Sequence, residues 1–547
     1  MFDVLASDFV SDALYHSEKR RSEHAVICQP ETQTNVLSAI RAWANSTADT
    51  SCVCWLSGPA GTGKSTVAHT IAAEYDKNGR LAASFFFWRK TGDRDDLNKL
   101  IATLAYQIAE KIPLAKEGME ENLRLKNDQE PLTVLSDRFS KSSLEDRLSK
   151  LLINRSILDA DPAAPDILVI DGLDECSSRE GICRLVEWIR KNELPFRLLL
   201  TSRPEPEFES LFISGPQLDV RALCLTESQS DIRKYFVEEL EKVWPTQRRI
   251  KKCGPSQWPS QSDLEKLVEK SEGLFVYAAT AVRYIGDSEG NPSKRLEEVL
   301  ELHKGLDSLY VQVIDEARKQ DCFDIVMGSI MYLKYPLSVA DLSIILFTLN
   351  KHLTPSGILS ALRRCHSILS IPERSTINPY HASLRDFLTD HSRATTLFLA
   401  PAMCHGRLML ACLSAITNAF REGSTGPRYA LVSWYYHAYS VLTTSSGDSE
   451  TLGEMKGEIQ ELVKKIDLDW VKSWLIESVH WERVMHLSVE LPSTKVQSWN
   501  LTRSSIIDRT DARNSRTHPG RDSWSRSWEV SVKFWRWLLW FTSKMTA

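Results

Sequence analysis

Two short segments constrain this chain more than any others. Residues 58–65 read GPAGTGKS, a complete G-x-x-x-x-G-K-[S/T] loop, and residues 167–175 read ILVIDGLDE, an apolar run that ends in acids. Small residues between Gly58 and Gly63 let backbone N–H groups converge on a phosphate, and a helix starting near Lys64 directs its positive end at the same point. Lys64 then neutralises β- and γ-phosphate oxygens, Ser65 offers a hydroxyl to Mg²⁺, and Asp171, leaving a buried strand, holds the metal through water. The phosphate site so defined comprises Gly58, Pro59, Ala60, Gly61, Thr62, Gly63, Lys64, Ser65 and Thr66. The loop follows an apolar strand and precedes a helical pattern, the context the motif requires, so the expected ligands are a nucleotide, ATP or ADP, and Mg²⁺.

From Cys52 to Leu225 short apolar runs (VCWLS, ASFFFW, ILVID, RLLLTS, VRALCL) alternate with longer helical stretches, the grammar of an α/β domain. The runs barely alternate in polarity, as strands buried on both faces do. Leu97, Leu100, Ile101, Leu104 and Ile108 make one apolar helical stripe. After Thr226 the strands stop, and helical patterns follow on either side of a polar stretch from Pro245 to Pro259. Residues 336–346 open with a proline and a serine cap, and YHASLRDFLTD places Tyr380, Leu384, Phe387 and Leu388 on one helical face. No repeat with a period of 20–50 residues is present.

With 547 residues the chain has room for several domains. Its net charge of −5 gives no domain-wide basic footprint, so nucleic acid is not expected as the main ligand. The acidic, polar start lacks a secretory core, and no stretch is apolar for the roughly 18 residues a membrane span needs, so a cytoplasmic protein is expected. The cysteines are scattered without a C-x-x-C pair and read as free, buried thiols; Cys52 and Cys54 are expected on one strand face, and Cys365-His366 and Cys404-His405 as structural. The end of the chain, SWSRSWEVSVKFWRWLLWFTSKM, is rich in tryptophan; it reads as a docking or membrane-surface helix, a partly buried structural helix, or an unordered terminus.

GPAGTGKS with ILVIDGLDEC and RLLLTSRPEP resembles the NACHT class of signal-transducing P-loop NTPases, STAND-class and NLR-like, in particular its fungal set. ASFFFWRK followed by LIATLAYQIA, then SEGLFVYAATAVRYI and YHASLRDFLTD, resemble further segments in the same order, over residues 25–395. The resemblance implies an α/β P-loop NTPase domain, its acidic strand not beside the loop strand, followed by all-α helical and winged-helix domains and a helical C-terminal region. The corresponding boundaries are 1–50 for a lead-in, 51–225, 226–305, 306–395, 396–500, and 501–547 for a polar, then Trp-rich tail. It implies that Asp174 orients the attacking water with Glu175 in reserve, that Arg203 senses the γ-phosphate, and that His381 reaches the β-phosphate of ADP. The residue-level alternatives are a cap role for either acid, an Arg203 ion pair with Glu205 or Glu207, and packing for His381.

The chain departs from the family at 28–33, where CQPETQ stands for C-x-P-G-T-R, and at Phe275, where related switches have a proline against the base. The family's effector domain and repeat array are not seen. The function so implied is a slowly hydrolysing switch, closed with ADP and open with ATP, that assembles into a nucleotide-dependent homo-oligomer. It would work with a protein effector or sensor in fungal self/non-self recognition or cell-death signalling. The alternatives are a P-loop kinase acting on a small acceptor and a truncated interaction scaffold.

Overall fold

The structure is a computed structural model that describes residues 5, 8–17, 27–46, 52–89, 93–124, 143–151, 164–192, 196–213, 220–224, 229–251, 258–287, 290–373, 375–421 and 427–444. The Trp-rich end lies outside the described residues. Five strands form a parallel sheet: β1 Val53–Ser57, β2 Leu81–Phe86, β3 Ile167–Asp171, β4 Arg197–Ser202 and β5 Val220–Cys224, in the order β2-β3-β4-β1-β5. These are the five apolar runs of the sequence. β4 separates the loop strand from the acidic strand, as the resemblance implies.

Every residue of β1, β2 and β3 is buried because helices cover both faces of the sheet. Val53 and Trp55 point into one core with the stripe Leu97, Leu100, Ile101, Leu104 and Ile108; Cys54 and Leu56 point into the other, with Val67, Ile71 and Ile40. Cys52 corrects one expectation. It precedes β1 and packs against the core of Val53, not with Cys54. No disulfide joins the described cysteines.

Helices Gln229–Lys251, Gln261–Lys270, Phe275–Gly286 and Pro292–Glu301 follow the sheet. The first runs through Pro245, where a break was expected; a proline removes a single intrahelical hydrogen bond, and the flanking Glu, Lys, Gln and Arg residues favour helix. Leu306–Ala317, Phe323–Tyr332, Val339–Leu346 and Pro355–Ala361 then lead to a short antiparallel ladder, Leu369–Ser370 with Asn378–Pro379, and to helix Ala382–Leu388. Ser338 caps its helix by accepting the Asp341 N–H at 3.1 Å. Leu384, Phe387 and Leu388 are buried together, but Tyr380 stands before the helix.

The chain divides into two compact units, Met1–Ser343 with Leu353–Ala400, and Ile344–His352 with Pro401–Ala547. In the second, helices Pro401–Arg421 and Arg428–Thr444 form a hairpin in which His405 and His437 share a 2.8 Å Nδ1–Nδ1 hydrogen bond and Tyr429 holds the other nitrogen of His437. No group of three or more candidate metal ligands is found among the described residues. No single described helix is long and apolar enough to cross a membrane.

Candidate nucleotide site

A parallel sheet delivers the carboxyl ends of all its strands to one edge, and there the loop after β1, the acids after β3 and Arg203 after β4 meet. Gly61 and Gly63 take φ values of +83° and +100°, which turn the loop backbone inward at no steric cost. A Cβ on Gly61 would lie 2.3 Å from Val276 Cγ1, so a side chain is excluded there twice over. Gly63 caps helix Lys64–Lys77. Lys64 Nζ donates to the carbonyls of Gly58 and Pro59, each at 2.7 Å, and Thr62 donates to Pro59 at 2.9 Å. Burial lowers the Lys64 pKa, against the pull of Asp174 and Asp171. Ser65 stands exposed in the first turn, and Thr66 follows it, its carbonyl accepting from Thr70.

Asp171 is buried at the end of β3 and its Oδ1 accepts the Thr201 hydroxyl at 2.6 Å; Thr201 Oγ1 in turn accepts the Gly172 N–H at 2.9 Å. The carboxylate is thereby fixed in orientation from the neighbouring strand. The glycine cradle, the lysine and an oriented carboxylate beside them are the donor and acceptor set that a Mg²⁺–nucleotide needs, so the residues present fit that ligand.

The two remaining acids differ in environment. Asp174, only 4% exposed, accepts the backbone N–H of Arg203 at 3.0 Å and its Nε at 3.1 Å, with Arg89 Nη2 at 3.8 Å. Among the described residues Glu175 accepts one hydrogen bond, from the backbone N–H of Arg89 at 3.0 Å, and burial together with the Asp174 charge pushes its carboxyl up to about 7. Arg203 does not pair with Glu205, which is held by Arg179 at 2.7 Å. Its outer nitrogen, Nη2, reaches Asp386 Oδ2 at 3.0 Å, on helix Ala382–Leu388.

His381 is the N-cap of that helix. Its Nδ1 accepts the Ser383 N–H at 3.1 Å and lies 2.7 Å from Ser383 Oγ, which meets the Tyr310 hydroxyl at 2.9 Å. With Nδ1 accepting, the proton of the neutral ring resides on Nε2. Burial, with the charges of Arg203 and Lys64, pushes the ring down to about 4, so it is neutral near pH 7. The structure thus brings His381 into the electrostatic reach of the loop lysine and the β4 arginine.

Sequence reasoning missed three charged residues here. Arg89 bridges Asp174 and Asp386, the latter at 3.6 Å. Asp386 itself lay unread inside YHASLRDFLTD. Arg283 stacks 3.9 Å from the Tyr380 ring centroid and makes no hydrogen bond or ion pair with a described residue; burial lowers its pKa. No local pattern marks such residues, because their partners come from distant elements. The lead-in departs from its family pattern yet is anchored: Gln33 N–H donates to Asp231 at 2.8 Å and Gln29 to Glu239 at 2.7 Å, both on helix Gln229–Lys251.

With this geometry in place, the sheet, its loop and its acidic strand have the fold of P-loop NTPases. The family described as Nephrocystin 3, N-terminal, matches residues 32–203, from the lead-in to Arg203 after β4. No curated protein matches the chain. Solved structures that align with it include Cdc6p from Pyrobaculum aerophilum, at 12% identity over 73% of this chain and 98% of the other, TM-score 0.30. PCH-2 of C. elegans aligns at 12% identity over 53% and 72%, TM-score 0.29. The Aeropyrum pernix ORC1 protein, solved in complex with DNA, aligns at 16% identity over 72% and 97%, TM-score 0.25.

Proposed function

We propose that this protein is a nucleotide-operated switch: closed with ADP, opened by Mg²⁺–ATP, assembling into a homo-oligomer through its NTPase domain, and resetting by slow hydrolysis. The observation that carries this reading is the Arg203–Asp386 ion pair. It joins residues 183 apart in sequence and folds helix Ala382–Leu388, with His381 at its head, onto the edge of the sheet that carries the phosphate loop. A simple phosphotransferase has no need for a downstream helix locked onto its γ-phosphate arginine. Within the switch, Lys64 and the loop N–H groups hold the phosphates, and Ser65 and Asp171 hold the metal, which would neutralise charge developing on the γ-phosphate. His381 donates its Nε2–H to the β-phosphate. Glu175 orients the attacking water, because Asp174 is saturated by arginines while Glu175 has the proton affinity suited to a base at neutral pH.

The resemblance to fungal NACHT proteins makes self/non-self recognition or cell-death signalling the role we favour, with a protein effector or sensor as partner. Light scattering of the full chain with Mg²⁺–ADP and with a non-hydrolysable ATP analogue tests the switch. A larger particle with the analogue alone is expected; one size in both rejects assembly, and turnover that depends on a small acceptor would make it a kinase.

A further inference from the structure

Arg203 is shared between two carboxylates of different origin. Asp174 follows β3 in the NTPase domain and is bound to Arg203 through both its backbone N–H and its Nε, so the two remain together whatever the helices do. Asp386 comes from helix Ala382–Leu388 and takes the outer nitrogen, Nη2, at 3.0 Å. Its second oxygen faces Arg89 Nη1 at 3.6 Å. The neighbouring Arg385 fixes the helix, with Nε donating to Met331 O at 2.6 Å and Nη1 to Arg89 O at 3.4 Å. Asp386 is therefore a positioned anion on the arginine that the switch reading assigns to a terminal phosphate.

We propose that Asp386 is a specificity-determining residue: its carboxylate takes, on Arg203, the place of a nucleotide's γ-phosphate, so the closed arrangement accepts a nucleoside diphosphate and disfavours the triphosphate. The inference rests on the switch reading above and names the side chain that makes it respond to the third phosphate. A diphosphate leaves the Arg203–Asp386 pair intact. A triphosphate sets its doubly charged end beside Asp386 and competes for the same guanidinium, and anions sharing one cation repel when it cannot serve both. Arg203 then turns to the phosphate, and Asp386, with its helix and His381, is released. A ligand shifts such an equilibrium only through contacts that differ between the two states, and this contact does.

The test is Asp386→Asn in the full chain, which keeps the side-chain volume and removes the charge. The dissociation constants of ADP and of a non-hydrolysable ATP analogue are measured with Mg²⁺ by calorimetry. The ratio favouring ADP in the wild type is expected to collapse by about 5- to 150-fold, the usual range of coupling between sites, mainly through tighter binding of the analogue. An unchanged ratio, or parallel weakening of both nucleotides, assigns Asp386 to domain docking alone and overturns the proposal. A wild type that binds both nucleotides equally rejects the discrimination but leaves the phosphate site standing; one that binds neither rejects the site as well. A second measurement needs no variant: amide exchange across residues 382–388 of the wild type should be faster with the analogue than with ADP. Equal protection would overturn the proposal.

Discussion

The backbone N–H of Val276 donates to the carbonyl of Gly61 at 3.1 Å, so the first turn of helix Phe275–Gly286 seals the phosphate loop. The loop's shape and the docking of the helical segment are one property. Gly61→Ala brings a Cβ to 2.3 Å from Val276 Cγ1 and forces φ of +83° on a residue that resists it. A loss of about 1–3 kcal/mol is expected from strain and overpacking together. Thermal unfolding measures it, and Val276→Ala in the same chain should recover the steric part but not the backbone part. A melting temperature unchanged by Gly61→Ala would contradict this contact.

Lys64→Ala removes a cation that also ties Gly58 and Pro59 together from within the loop. A hydrogen bond to a charged group is worth about 1.5–3 kcal/mol, so nucleotide affinity should fall on the order of 10- to 150-fold. Lys64→Arg should fail to rescue, since a planar guanidinium cannot reach the two carbonyls and a phosphate as a compact ammonium does. Fluorescence titration with a labelled ATP analogue is the check; full affinity in the folded Ala variant would remove the loop from the site.

The central part of the sheet was legible because β1, β2 and β3 are buried on both faces and so print as unbroken apolar runs, VCWLS or ILVID. The stripe from Leu97 to Ile108 was legible because one helical face meets one core. The phosphate loop and Asp171 are local in sequence and were read directly. Arg203 was placed, but its partner was not: Glu205 and Glu207 are near in sequence, whereas Asp386 is near only after folding. Tyr380 was read as part of a helical face, whereas the helix begins only after His381, and histidine at an N-cap has no strong local signature. The ranking of Asp174 over Glu175 followed the family resemblance, and the arginines that distinguish them, Arg89 and Arg203, come from the segments after β2 and β4.

Glu175 carries a pH signature that distinguishes it from Asp174. Its carboxyl titrates at 4.5 when free and at about 7 in the fold. Between those values the native state holds a proton that the unfolded chain has released, so raising the pH erodes stability until the folded group has titrated. Glu175→Gln removes this loss: the variant should melt above the wild type at pH 8, and the gap should close towards pH 4. Hydrolysis runs the other way, since the carboxylate is the base. Single-turnover rates of the wild type should climb through pH 7, and Glu175→Gln should lower them by about 10²–10⁴ while Mg²⁺–ATP still binds. Asp174→Asn should cost less in rate and show up as a loosened Arg203. The opposite order of the two variants would return the water to Asp174.

His381→Ala tests the latch at the other end of the nucleotide. The ring stays neutral because burial, Arg203 and Lys64 push it down to about 4, and its Nδ1 is committed to Ser383, so Nε2–H is the only donor it can offer. A neutral hydrogen bond contributes about 0.5–1.5 kcal/mol, which sets the expected loss of ADP affinity at several-fold. The ATP analogue should lose less, since in the open state the helix that His381 caps has left the site. Acid provides an independent reading. The free side chain titrates near 6.5 and the folded one near 4, so between these values the unfolded chain takes up a proton that the native state refuses. Stability should therefore fall as the pH drops through that window, and His381→Ala should flatten the fall in urea titrations. If both nucleotides weaken equally, or neither does, His381 serves only as the cap of its helix, and release of the closed state would depend on Asp386 alone.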